Sequence, residues 1–342
     1  MTLEKLTIGM LFPFRQNLQI LDDLCNDYPV SLVWTPYMES NELRSARGLA
    51  NGQNTDHLPA PIISQDTLAK WSTCDALVGL DLPSQPEKRF PKLKWFQGVG
   101  AGYDHIDSEA LKKMGVIQTN ARGISSIAIA EFVFARILQV WKQLRTLDKQ
   151  QSTRTWTARF GTQVSGRTIG IVGLGTIGRE VAIRAKAFGM EVLATRRTSL
   201  PNESDPDVDK LLPYDELAEM LPICDVVVVS APASEETKDL FDDETFQLMK
   251  PGAIFCNISR GSLVVEESLV RALDDGSLGA AILDVTRQEP LPKESPLWIS
   301  PNLYLSPHCS VSLDTYEEDA AEIVATNALR LLHDQELINI IR

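Results

Sequence analysis

TIGIVGLGTIG, residues 168–178, decides how the chain folds. Thr168 to Val172 is a run without polar alternation, which suits a strand covered on both faces. Gly173-Leu174-Gly175-Thr176-Ile177-Gly178 then places three glycines where that strand gives way to a helix. The first permits a tight turn, the second lets the backbone approach a pyrophosphate, and the third lets helix and strand pack closely. The helix N-terminus adds free N–H groups and a positive dipole end for an anion. Strand, glycine turn and helix in that order form a dinucleotide-binding unit.

The same unit repeats downstream. EVLAT (191–195), DVVVVSAP (225–232), AIFCNIS (253–259), AAILDV (280–285) and LYLSP (303–307) are further strand candidates, and 176–189, 214–221, 242–250 and 266–275 have helical periodicity. A doubly wound α/β domain of six parallel strands is expected. Upstream, apolar runs at 7–12, 30–35, 75–80, 93–97 and 116–119, with helical stretches at 17–26 and 108–114, predict a second, smaller α/β domain. The polar stretch from Glu39 to Pro61 reads as a surface excursion without recognisable chemistry. Ser125 to Lys149 reads as one long helix entered through a Ser N-cap, and Leu313 to Asp334 as a terminal helix able to return to the small domain. The expected organisation is a discontinuous substrate domain, 1–120 with 312–342, and a cofactor domain, 121–311, with the ligand cleft between them.

Composition narrows the function. The 342 residues, 44% hydrophobic and 23% charged, suit a globular protein of about two domains at roughly 150 residues each. A net charge of -13 argues against nucleic acid and anionic lipid surfaces. No apolar run approaches the ~20 residues of a membrane span, and Met1 to Gly9 lacks a signal-peptide core, so a cytoplasmic location is expected. The five cysteines, Cys25, Cys74, Cys224, Cys256 and Cys309, are scattered without a CxxC pair and imply neither a disulfide framework nor a metal site.

The choice of dinucleotide is made at the end of the second strand of this domain, where an NAD site places an acid on the ribose 2′-OH. Here the chain reads Thr195-Arg196-Arg197-Thr198-Ser199 and has no acid. A guanidinium can bind a 2′-phosphate through paired charge-assisted bonds, and the hydroxyls can add donors, so NADP(H) is the expected cofactor.

Three other strand ends carry reactive side chains. Arg260 follows the fourth strand, Glu289 the fifth, and His308 the last. His57, His105 and His333 read as surface or structural residues. Reducing a 2-keto acid requires a cation for the carboxylate and carbonyl oxygen, a proton donor for the developing alkoxide, and a carboxylate that keeps the donor protonated. Arg260, His308 and Glu289 supply these in order.

With these motifs in view, the sequence resembles the D-isomer-specific 2-hydroxyacid dehydrogenase family from about Ala76 to His308. The resemblance is carried by GVGAGYDHID (98–107), the segment Asn120 to Glu131, VSGRTIGIVGLGTIG (164–178), AKAFGMEV (185–192), ISRG (258–261), DVTRQEPLP (284–292) and SPH (306–308). It implies a Rossmann cofactor domain beside a flavodoxin-like substrate domain, and a catalytic set of Arg260, Glu289 and His308. It further implies that backbone N–H groups at Ala101 and Gly102 hold the substrate carboxylate. Thr176, Ile177, Ala231, Pro232, Thr237, Ile258 and Ser259 would contact the cofactor, with Asp284 near the nicotinamide amide. Family members are usually dimers through the segment that is Ile129 to Phe160 here, which contains Trp141 and Trp156, so a homodimer is expected. The chain departs from the family at Arg196, where NAD-dependent members carry an acid, and at Ser259, Thr286 and Cys309-Ser310-Val311. Glyoxylate, hydroxypyruvate and bulkier keto acids all remain open as substrates. Two alternatives share the fold: a dinucleotide-sensing, co-repressor-like binding protein, and a formate or phosphite dehydrogenase.

Overall fold

Apolar runs unbroken by polar residues become the buried strands of two parallel sheets. The computed structural model describes residues 5–15, 18–49, 58–197 and 203–341. One compact unit comprises Met1–Ile124 with Leu313–Arg342, and the other Ser125–Ser312.

The first unit contains β1 (Leu6–Met10), β2 (Val30–Trp34), β3 (Ala76–Gly79), β4 (Trp95–Gly98) and β5 (Ile117–Thr119), hydrogen-bonded in the order β2-β1-β3-β4-β5. All four pairings are parallel. Alternate residues feed opposite faces: Ala76, Val78 and Trp95 join one core cluster, while Leu77 and Phe96 join the other. The terminal helix Tyr316–Leu332 supplies Ala320, Ala321, Val324 and Ala328 to the first cluster, where helix Gln19–Asp27 adds Leu21 and Leu24. Small side chains allow the helices to approach closely.

The second unit has seven strands. β6 (Thr168–Val172), β7 (Glu191–Arg196), β8 (Lys210–Pro213), β9 (Val226–Val229), β10 (Ala253–Asn257), β11 (Leu278–Leu283) and β12 (Leu303–Leu305) lie in the order β12-β11-β10-β9-β6-β7-β8, all parallel. The chain builds outward from β6 to β8, then returns to β9 and builds the other way. This reversal places a topological switch between β6 and β9, where open α/β sheets bind their ligands. The side chains of Val226 to Val229 are fully buried, and each contributes roughly 1.5–3 kcal/mol relative to exposure.

Three expectations are corrected. The sheet has seven strands rather than six, because β8 offers only Leu211 and Leu212 between Lys210 and Pro213, too short a run to register as a strand. The helix expected over Ser125 to Lys149 is two helices, Ser126–Trp141 and Leu144–Ser152, and Ser125 makes no side-chain cap. They are separated at Gln143, whose φ is 56°, and its Nε2 donates to Phe160 O at 2.9 Å.

The third correction concerns the polar stretch after Tyr37. Its first part is helix Asn41–Leu49, and Glu39 and Arg47 are buried at 6% and 4% exposure. Arg47 pairs with Glu39 at 3.0 Å, Tyr37 donates to Glu39 at 2.6 Å, and Arg44 grips Asp81 at 2.7 and 2.8 Å. His105 completes the group, its Nε2 2.7 Å from Leu80 O and 3.6 Å from Asp81. Burial raises the Glu39 carboxyl above its usual range and lowers the His105 imidazole. Among the described residues, no helix is long and apolar enough to cross a membrane.

Candidate active site

The glycine turn has the geometry that its sequence demands. Gly173 has a φ of 99°, and a Cβ there would lie 2.7 Å from the Ala231 backbone. At Gly178 a Cβ would lie 2.5 Å from Gly173 O. Gly175 differs: nothing lies within 4 Å of its absent Cβ. Gly173 and Gly178 are therefore required by packing, and Gly175 leaves open space in front of helix Thr176–Ala187. The helix ladder starts with Arg179 N donating to Gly175 O at 2.9 Å, so Thr176, Ile177 and Gly178 present first-turn N–H groups toward that space. These residues fit a dinucleotide pyrophosphate.

The next two turns are tied to this one. Ser230 Oγ donates to Gly173 O at 2.7 Å. Thr237 is buried and donates to Pro232 O at 2.8 Å, closing the turn after Ala231. Ser259 donates through Oγ to Ala231 O, and Ile258 is 6% exposed. Ala231, Pro232, Thr237, Ile258 and Ser259 therefore form a connected rim on the carboxyl side of β9 and β10.

The Arg260 turn is held at its backbone by Asn257, and the Arg260 guanidinium donates from Nη1 to Ser259 O at 2.8 Å. Asn257 is fully buried; its Nδ2 donates to Arg260 O at 2.9 Å and its Oδ1 accepts from Ser259 N at 3.0 Å. The signal in the sequence is an Asn that closes the otherwise apolar run Ala253–Asn257 directly before the Arg260 turn. Gly261 then allows this turn to pack on the next, since a Cβ there would overlap the backbone of Thr286 and Arg287. The Arg260 turn and the Glu289 turn are thereby in contact.

Glu289 and His308 form a pair, with Nδ1 2.8 Å from Oε2 and side chains 51% and 30% exposed for His308 and Glu289. Thr286 N donates to the other carboxylate oxygen, Oε1, at 3.1 Å. One Glu289 oxygen is thus fixed by backbone while the other orients the imidazole, leaving Nε2 as the nitrogen for chemistry.

His308 has a φ of 51°, a conformation that costs about 1 kcal/mol for a non-glycine residue. Asp284 offsets this. Its carbonyl accepts from His308 N at 2.8 Å, and its two carboxylate oxygens accept from Cys309 N at 3.0 Å and Ser310 N at 3.1 Å. Asp284 is 1% exposed, and these three bonds hold the histidine turn.

At the end of β7, Arg196 is paired with Glu203 and has Asp205 at 3.9 Å, while Arg197 is exposed. Glu203 and Asp205 were not singled out from sequence, because the return of residues 203–207 to β7 has no local signal. Thr198, with Ser199 and His57, lies outside the described residues. Ala101 and Gly102 belong to the other unit, in the turn after β4, where Asn120 Nδ2 donates to Ala101 O at 2.7 Å.

Known proteins share this pattern. The family model for the D-isomer specific 2-hydroxyacid dehydrogenase, NAD binding domain, matches residues 134–310. A glyoxylate reductase of Thermococcus onnurineus is 38% identical over 248 residues, spanning 70% of this chain and 73% of that protein. A second, from Korarchaeum cryptofilum, is 33% identical over 79% of this chain and 83% of its own length. The crystal structure of a D-isomer specific 2-hydroxyacid dehydrogenase family protein from Aeromonas salmonicida aligns over 99% of both chains, with a TM-score of 0.77 and 30% identity. The matched family model, the extent of sequence identity and the fold similarity have one reading: this chain belongs to the D-isomer specific 2-hydroxyacid dehydrogenase family.

Proposed function

We propose that this protein reduces a small 2-keto acid to the D-2-hydroxy acid, with NADPH as the preferred cofactor. When bound, the reduced nicotinamide supplies the hydride. The observation that carries the proposal is the His308–Glu289 pair at 2.8 Å, next to a turn that presents Arg260.

In this reading His308 holds the proton that the developing alkoxide takes, and Glu289 stabilises the imidazolium until then. Arg260 offers its guanidinium to the substrate carboxylate and carbonyl oxygen, drawing electron density from the carbon under attack. Ala101 and Gly102 contribute backbone N–H groups to the carboxylate. Glycine-turn N–H groups of Thr176, Ile177 and Gly178 bind the pyrophosphate, and Arg196, Arg197 and Thr198 read the 2′-phosphate. Glyoxylate is the first substrate to try, since both curated relatives described above are glyoxylate reductases.

We also propose a cytoplasmic homodimer formed through the segment Ile129 to Phe160. Trp156 and Phe160 are 102% and 89% exposed, and such aromatic surface supports burial against a second copy. A monomeric mass by light scattering would overturn this.

The decisive experiment is steady-state kinetics with NADPH and NADH against glyoxylate, hydroxypyruvate, pyruvate and branched keto acids. Turnover with higher kcat/KM for NADPH is expected. Cofactor binding without reduction of any keto acid would favour the sensor reading, and better efficiency with NADH would remove the cofactor assignment.

A further inference from the structure

At the end of β7 the guanidinium assigned to a 2′-phosphate is already engaged. Arg196 is paired with Glu203, their side chains 28% and 35% exposed, with Asp205 at 3.9 Å. The segment carrying these acids is itself anchored. Arg179, in the first turn of helix Thr176–Ala187, holds both oxygens of Asp205 at 2.8 and 2.9 Å and also contacts Asp207. Asp207 N donates back to Asp205 Oδ1 at 3.1 Å. Arg179 keeps the Asp205 carboxyl below its usual range, so that acid stays ionised. Among the described residues, three carboxylates thus face the guanidiniums of Arg179 and Arg196, with Arg197 exposed next to them, so Arg196 meets an incoming phosphate already paired.

We propose that Glu203 is a specificity-determining residue. Its carboxylate occupies Arg196 as an internal substitute for the 2′-phosphate, so a phosphorylated dinucleotide binds by exchange with it. This rests on the assignment of Arg196 to the 2′-phosphate. Carboxylate and phosphate present similar acceptor oxygens to the same planar fork, and both cannot hold it in full. The phosphate has the greater charge, but its binding must release Glu203 and bring like charge toward Asp205. A 2′-hydroxyl requires neither. Asp205 is fixed by Arg179, which leaves Glu203 as the acid whose removal changes selectivity without loosening the segment.

Glu203→Gln tests this by equilibrium titration, without turnover, using NADPH, NADH, 2′,5′-ADP and 5′-ADP as probes. The NADPH-to-NADH affinity ratio should rise roughly threefold, the size expected for release of a part-exposed ion pair, and 2′,5′-ADP should tighten against 5′-ADP by the same factor. In an Arg196→Ala background the Glu203→Gln effect should vanish. An unchanged ratio, equal changes for both dinucleotides, or an effect that persists without Arg196 overturns the proposal. The underlying assignment fails separately: Arg196→Ala would then leave NADPH binding unaltered. If Arg196→Ala weakens NADPH while Glu203→Gln changes nothing, the assignment stands and the exchange does not.

Discussion

Two pairs of a nitrogen base and a carboxylate stand on the carboxyl edge of the same seven-stranded sheet, and the proposed function gives them opposite work. His308 and Glu289 meet beyond β12 and β11; Arg196 and Glu203 meet beyond β7. Both are part-exposed, and as bare ion pairs both contribute at most about 1 kcal/mol to stability. They differ in what the incoming ligand asks of them. At the first, in the proposed mechanism, substrate needs the proton that the acid helps to hold, so acid and ligand cooperate. At the second, as proposed, a phosphate needs the cation the acid already holds, so acid and ligand compete. An acid beside a cation therefore does not define a site until the charge of the visiting group is considered.

The sharpest way to break the comparison is at the cooperating pair. His308→Ala should lower kcat for keto-acid reduction by about 10²–10⁴-fold, the usual contribution of a positioned proton donor. Glu289→Gln should cost less at neutral pH but should shift the pH at which reduction fails downward, because an amide does not stabilise an imidazolium. An unchanged pH–rate profile would remove Glu289 from its role. Next comes Gly261→Ala, whose Cβ would overlap the Thr286 backbone. It should cost about 1–3 kcal/mol, seen as a fall in Tm, and lower kcat as the Arg260 and Glu289 turns separate. At the competing pair, Arg196→Asp should move the ratio of kcat/KM values toward NADH by about tenfold, on the scale of one charge-assisted contact. The smallest effect concerns thiols. Cys309 is exposed beside His308, whereas Cys74, Cys224 and Cys256 are buried and burial pushes the Cys224 thiol up to about 12. In the native protein a thiol reagent should label Cys309 first, more slowly than a free cysteine because burial and Asp284 raise its pKa. The three buried thiols should react only on unfolding.

What was legible in the sequence follows from burial. Strands such as Val226–Val229 are covered on both faces, so their apolar runs are continuous and stand out. The glycine turn was equally plain, since two of its glycines are imposed by contacts that no side chain survives. His308, Glu289 and Arg260 stand out by residue type at successive strand ends, and the structure pairs the first two and packs the Arg260 turn on the turn of Glu289. The rest depended on partners distant along the chain. Glu39 and Arg47 looked like solvent-facing residues because each is polar, and their burial requires the other and Tyr37. The interruption at Gln143 carries no Gly or Pro of its own; a distant segment packs on it, with Gly161 so close that a Cβ would lie 2.6 Å from Trp141 O. The engagement of Arg196 depends on acids that return from beyond the turn, held by Arg179.

The seventh strand, β8, also has a bearing on solubility. An outermost strand exposes unpaired backbone groups that could recruit a strand from another molecule and seed aggregation. Here it is only four residues long, starts at an exposed Lys210 and ends at Pro213, which has no N–H to offer. Leu211 and Leu212 are turned into the core, so little of the strand is sticky. The shortness that hid β8 in the sequence is thus what stops the sheet from growing past it.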